Sequence, residues 1–213
     1  MPVAEQQSRS ALVISGKHLE YFTIIWHLLE GAISLVAGLV SGSLSLVGFG
    51  VDSLIELASA VAVWWRMAVD DRVEHRERNE KLTLRLIGAS FIALAGYLIF
   101  ESVASFVNKK APEPSVPGIV IAVLSLIVMP LLSRAKRNVA AQLKSPAMKA
   151  DATQADFCAY LSAILLVGLL VNFQFGWWWA DPVAALTMAV IIGNEGIKSS
   201  LGDPCCEQHV GRD

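Results

Sequence analysis

Apolar stretches of twenty or so residues recur along nearly the whole of this chain, and each matches the roughly 20 residues a helix needs to cross a hydrocarbon core of about 30 Å. With 54% hydrophobic and only 17% charged residues in a chain of 213, the composition is too apolar for one soluble domain. The expected fold is therefore all-α and integral to a membrane: a bundle of six transmembrane helices at about 19–41, 44–67, 82–107, 117–135, 148–173 and 181–200. The tail before them, residues 1–18, is of ordinary polar character, and another short tail, 201–213, follows. No small-residue cleavage site trails the first apolar run, so the first helix is expected to stay in the mature protein.

The breaks between runs fall at residues that stop helices. The connection Ser41-Gly42-Ser43 is so short that helices 1 and 2 must be antiparallel neighbours; Pro112, Pro114 and Pro117 end helix 3, and Gly176 with Asp181-Pro182 ends helix 5. Basic residues concentrate around two connections, Arg66, Arg72, Arg76, Arg78, Lys81 and Arg85 in one, and Arg134, Lys136, Arg137, Lys144 and Lys149 in the other. The opposite side carries only Lys109 and Lys110, so both basic loops and both termini are expected on the cytoplasmic side, across a bacterial inner membrane. Trp177, Trp178 and Trp179 then fall at the outer interface, where amphipathic indoles settle. A net charge of −2 with its basic residues spent in loops excludes nucleic acid as a partner.

Within this apolar frame, the polar residues carry the message. Helix 2 places Asp52 and Glu56 one turn apart on one face, roughly 14 and 20 Å from the short outer turn at 1.5 Å per residue. A lone acid at that depth costs about 2.5 kcal/mol or more, and a second acid beside it adds repulsion unless a cation or proton neutralises the pair. Such a pair is poor structural glue and a good ligand set for a hard cation.

Along helix 5, Asp151, Gln154 and Cys158 form one stripe, whereas Asp156 lies about 140° around the helix from Asp151. A carboxylate, an amide oxygen and a thiolate would complete a shell begun by helix 2, with the thiolate favouring zinc over magnesium. A buried small hydrophobe for Cys158, an interhelical hydrogen bond for Gln154 and a cytoplasmic end for Asp151 are equally open. His27 and Glu30 of helix 1 sit at a depth comparable to Glu56, as a pair sealing the bundle, or as a proton relay or accessory group that touches the ion. Glu101 and Glu195 lie near the interfaces. In the terminal segment GDPCCEQHVGRD, Cys205, Cys206 and His209 form a possible site for a soft metal. There is no phosphate-cradling Gly-Lys motif, no HExxH and no GxSxG, so no enzyme chemistry is expected.

These segments resemble the cation diffusion facilitators, in which helix 1 to helix 2 typically runs GSLALLADAxHSLxD; here Gly42 to Glu56 read GSLSLVGFGVDSLIE, in register without a gap. The start of helix 5 in that family resembles SPALKADAxHxxxD, and Ser145 to Cys158 read SPAMKADATQADFC. Asp181-Pro182 fits the family pattern at helix 6 as well.

The resemblance implies a divalent-cation and proton antiporter working as a homodimer. Helices 3 and 6 would form its dimer core, and Asp52, Glu56, Gln154 and Cys158 would stand at the four metal-ligand positions. Glu at 56, Gln at 154 and Cys at 158 depart from the usual His and Asp set, which opens the question of the metal. Zinc is the first candidate, with cadmium, cobalt, iron and manganese behind it, carried as cargo with no resident cofactor. The short branch without a cytoplasmic domain after helix 6 is the expected form. The rival expectation is a membrane metal-binding sensor or regulatory subunit that does not transport.

Overall fold

The computed structural model describes residues 3–68, 76–108, 112–143 and 146–201. They form six helices and no strand: α1 (Val3–Ser41), α2 (Leu44–Ala68), α3 (Arg76–Asn108), α4 (Val116–Leu143), α5 (Pro146–Phe175) and α6 (Ala180–Leu201). Five of the described helices contain a segment long and apolar enough to cross a membrane, Leu12–Ser41, Leu44–Val61, Phe91–Asn108, Val116–Leu143 and Asp151–Phe175. A helix is the one open-ended element that satisfies its own backbone hydrogen bonds in hydrocarbon. The chain is an all-α integral membrane bundle.

Several helices run well past the spans expected from sequence. The segment read from sequence as an N-terminal tail is helical from Val3, and α4 continues through Arg134, Lys136 and Arg137 to Leu143. Lys136 and Arg137, expected beside a loop, are therefore helical residues, because a helix does not stop where hydropathy falls but where a breaker intervenes.

The burial pattern of α1 is inverted relative to a soluble helix. Glu20, Thr23, His27, Glu30 and Ser34 are buried, while Tyr21, Phe22, Ile25, Leu28, Leu29, Ile33, Val36, Leu39 and Val40 are exposed. Spacings of three and four place the polar set on one face, so lipid meets the apolar face and the polar one turns to the interior. The apolar core proper runs between α2, α3, α4, α5 and α6 through Leu46, Phe49, Leu98, Met129, Leu165 and Met188, all fully buried.

Three pairs pack most extensively, α3 with α6, α1 with α2 and α4 with α5; α1 also meets α4, and α2 touches α3, α5 and α6. The hairpin α1/α2 closes at Gly42, whose φ of 70° is the left-handed conformation that favours glycine. Its helices approach so closely that a Cβ on Gly50 would lie 2.9 Å from the Leu35 backbone nitrogen, and one on Gly38 2.8 Å from that of Val47. Gly38 is thus a packing contact, whereas Gly42 has open space around it.

At that end of the bundle α2 and α6 are pinned together. Asp181 is 1% exposed. Its carboxylate accepts hydrogen bonds from Ser43 Oγ (2.5 Å), Ser45 Oγ (2.5 Å) and the Leu44 N–H (2.8 Å). It thus satisfies an amide that the start of a helix would otherwise leave orphaned. Asn172 Nδ2 donates to the Pro112 carbonyl at 3.1 Å, and the Glu113 N–H to Ser41 O at 2.7 Å, so the connections at this end are tied into one layer.

Candidate metal centre

Halfway down the bundle, side chains from three helices converge. His27 and Glu30 come from α1, Glu56 from α2 and Cys158 from α5; one ligand-type atom from each lies within 4.8 Å of all the others, and all four residues are buried. His27 Nδ1 is 3.1 Å from Glu30 Oε2 and 3.4 Å from Glu56 Oε2. Glu30 Oε2 also accepts from Ser53 Oγ at 3.1 Å and from Cys158 Sγ at 3.8 Å, and Ser125 Oγ stands 3.9 Å from the same sulfur. Glu30 Oε1 is buried and makes no hydrogen bond. Two carboxylates and a thiol around one imidazole, with acceptor capacity unused, form a set that attracts a cation and has little to gain from any other small partner.

Of the four residues at the expected ligand positions, Glu56 and Cys158 are in this cluster. Asp52 and Gln154 are not. They line a neighbouring cleft with Glu56, Phe91, Phe157, Leu161, Ile191, Ile192 and Glu195, so Glu56 stands between the two places. Asp52 is 2% exposed, and Gln154 is half-buried. Glu195, read from sequence as an interfacial acid, belongs to this cleft because α6 packs against both α2 and α5.

His27 and Glu30, expected to be accessory, occupy the centre of the cluster. Asp151, placed with Gln154 and Cys158 on one stripe, turns to a different partner: Lys136 Nζ, which is 1% exposed, binds both Asp151 Oδ2 and Glu20 Oε2, the latter at 3.1 Å. Asp156, on the other side of α5, pairs with Arg137 near the surface. Cys205, Cys206 and His209 lie outside the described residues.

The triad Glu20–Lys136–Asp151 escaped the sequence reading because Lys136 sits between Arg134 and Arg137 and looks like a third loop cation. The available signal was Glu20: with Thr23, His27, Glu30 and Ser34 it completes a polar stripe at helical spacing on an otherwise apolar helix.

Residues 23–199 match the family described as the cation efflux transmembrane domain. The cation-efflux pump FieF of Shewanella oneidensis is 27% identical over 170 residues, covering 76% of this chain and 57% of that protein. An uncharacterized transporter of Methanocaldococcus jannaschii is 26% identical over 176 residues, covering 80% of this chain and 62% of its own length. The magnetosome protein MamB of Magnetospira sp. is 26% identical, with 78% and 58% covered. The chain spans about three fifths of the length of these curated relatives. With the match running across all six helices, the chain belongs to the cation efflux family, the cation diffusion facilitators.

Proposed function

We propose that the protein exports a divalent metal cation, zinc by preference, in exchange for protons, with cadmium, cobalt, iron and manganese as alternative cargo. The observation that carries this reading is that Glu56 and Cys158, from motifs on two helices far apart in sequence, meet inside a membrane-spanning bundle. Asp52 and Gln154 stand beside them along the cleft that reaches Glu56. Carboxylates and a thiol must shed protons to take a metal, so the two compete for one place. Competition at a site opened alternately to either side suffices for antiport. The excess of Arg and Lys in two connections supports both termini on the cytoplasmic side of a bacterial inner membrane, and the resemblance to the family supports a homodimer with α3 and α6 at its core.

Vesicles reconstituted with the purified protein and a pH gradient test this. Zinc uptake should follow the gradient and fall by about tenfold or more in Asp52→Ala. Failure of all five metals to move, or equal flux in Asp52→Ala, would sink the reading; metal binding in detergent without flux in vesicles would make the protein a sensor or regulatory subunit.

A further inference from the structure

We infer that the first helix supplies half of the cargo's ligand shell: His27 and Glu30 join Glu56 and Cys158 as a cage for a borderline-soft divalent cation. Asp52 and Gln154 form an antechamber that hands the ion to Glu56. This inference rests on the transport reading above and refines where the ion sits.

Geometry is the first ground. Ligands bonded to zinc at about 2.0–2.3 Å in a tetrahedron stand about 3.3–3.8 Å from one another, and the four groups already lie within 4.8 Å. The second ground is unused bonding capacity. Glu30 is 0% exposed, yet its Oε1 has no hydrogen-bond partner; Glu56 Oε2 faces His27 Nδ1 at 3.4 Å. A buried acceptor left unpaired is costly, and a cation bound among these groups would pair it.

The donor set is the third ground. Imidazole nitrogen, thiolate sulfur and two carboxylates match the preference of zinc and cobalt. Asp52 with Gln154 offers one carboxylate and a neutral amide, a set suited to passing a cation along. The polar stripe of α1 gives the fourth ground. Glu20, Thr23, His27, Glu30 and Ser34 all turn inward while the lipid-facing residues are apolar, so α1 is a wall of the path as well as its anchor.

The test uses the full chain in detergent with Co2+ as probe, then zinc competition, and vesicle flux in parallel. Wild type should bind Co2+ with a thiolate-to-cobalt charge-transfer absorption that Cys158→Ser abolishes. His27→Gln and Glu30→Gln should each weaken zinc and cobalt binding by about tenfold or more and alter the cobalt spectrum. Asp52→Asn should change equilibrium affinity by less than about threefold while slowing flux. Thermal unfolding of the apo-proteins separates folding damage from ligand loss, since a merely sealing His27/Glu30 pair would lower stability and leave the cobalt spectrum untouched. Unaltered affinity and spectrum in both helix 1 variants, with binding lost in Asp52→Asn and Gln154→Ala, would overturn the inference and leave the transporter standing on helices 2 and 5. Absence of any metal binding by wild type would remove the transport reading itself.

Discussion

At the scale of single residues, burial converts ordinary side chains into costly ones, and each is legible to the degree that its cost is visible in sequence. Asp52 and Glu56 stand out because acids interrupt an apolar run. Cys158 does not, since a buried cysteine is also an ordinary small hydrophobe, and only its approach to Glu30 and Glu56 gives it chemistry. Replacing Cys158 by Asp exchanges a soft ligand for a hard one, and preference should move from zinc toward manganese by about tenfold in competition binding; unchanged selectivity would return Cys158 to the core. Asp181 is the structural counterpart. Its carboxylate accepts bonds from Ser43, Leu44 and Ser45. Asp181→Ala should therefore destabilise the fold by about 1–3 kcal/mol, measured by thermal or denaturant unfolding in detergent, and Asp181→Asn by less, because one acceptor oxygen survives.

At the scale of elements, the six helices follow from apolar length and the breakers between them, and that part of the fold was readable. Their ends were not, because Val3–Ser41 and Val116–Leu143 run past the apolar segment into charged sequence that hydropathy assigns to loops. The pairing of charges across helices was equally hidden: no spacing along one helix says that Lys136 of α4 reaches Glu20 of α1 and Asp151 of α5. Lys136→Met leaves two buried acids facing each other and should cost about 3–5 kcal/mol. Adding Glu20→Gln and Asp151→Asn should restore most of that loss in the same unfolding assay. Close helix approach makes a second demand. At Gly50 any side chain meets the α1 backbone at Leu35, so Gly50→Val should separate α1 from α2. That would weaken metal binding along with stability, by about 1–3 kcal/mol in the unfolding measurement.

At the scale of the whole molecule, the candidate metal cluster and the Glu20–Lys136–Asp151 triad lie on the same face of α1 and along α5, separated by two turns, about 10 Å, on each helix. If the ion sits in that cluster, an exit toward that end runs past a lysine held by two carboxylates, and opening there would part α1, α4 and α5. The closeness of α3 to α6 suggests that this pair stays together while the other helices move against it. Paired cysteines can separate the two behaviours, because a disulfide needs Cβ atoms about 3.5–4.5 Å apart. A Cβ on Gly193 of α6 would sit 3.3 Å from that of Ala95 in α3, and one on Gly168 of α5 2.7 Å from that of Ala184 in α6. The α3/α6 pair falls just short of that range, and at the other pair α5 and α6 must part by roughly 1 Å to reach it. Oxidised Ala95→Cys/Gly193→Cys protein should transport zinc into vesicles at the rate of its reduced form. Oxidised Gly168→Cys/Ala184→Cys protein should lose most flux and regain it with reductant, while retaining cobalt binding in detergent. If instead locking α3 to α6 stops transport and locking α5 to α6 does not, the moving boundary runs through the α3/α6 pair, and α5 carries its half of the metal cluster without displacement.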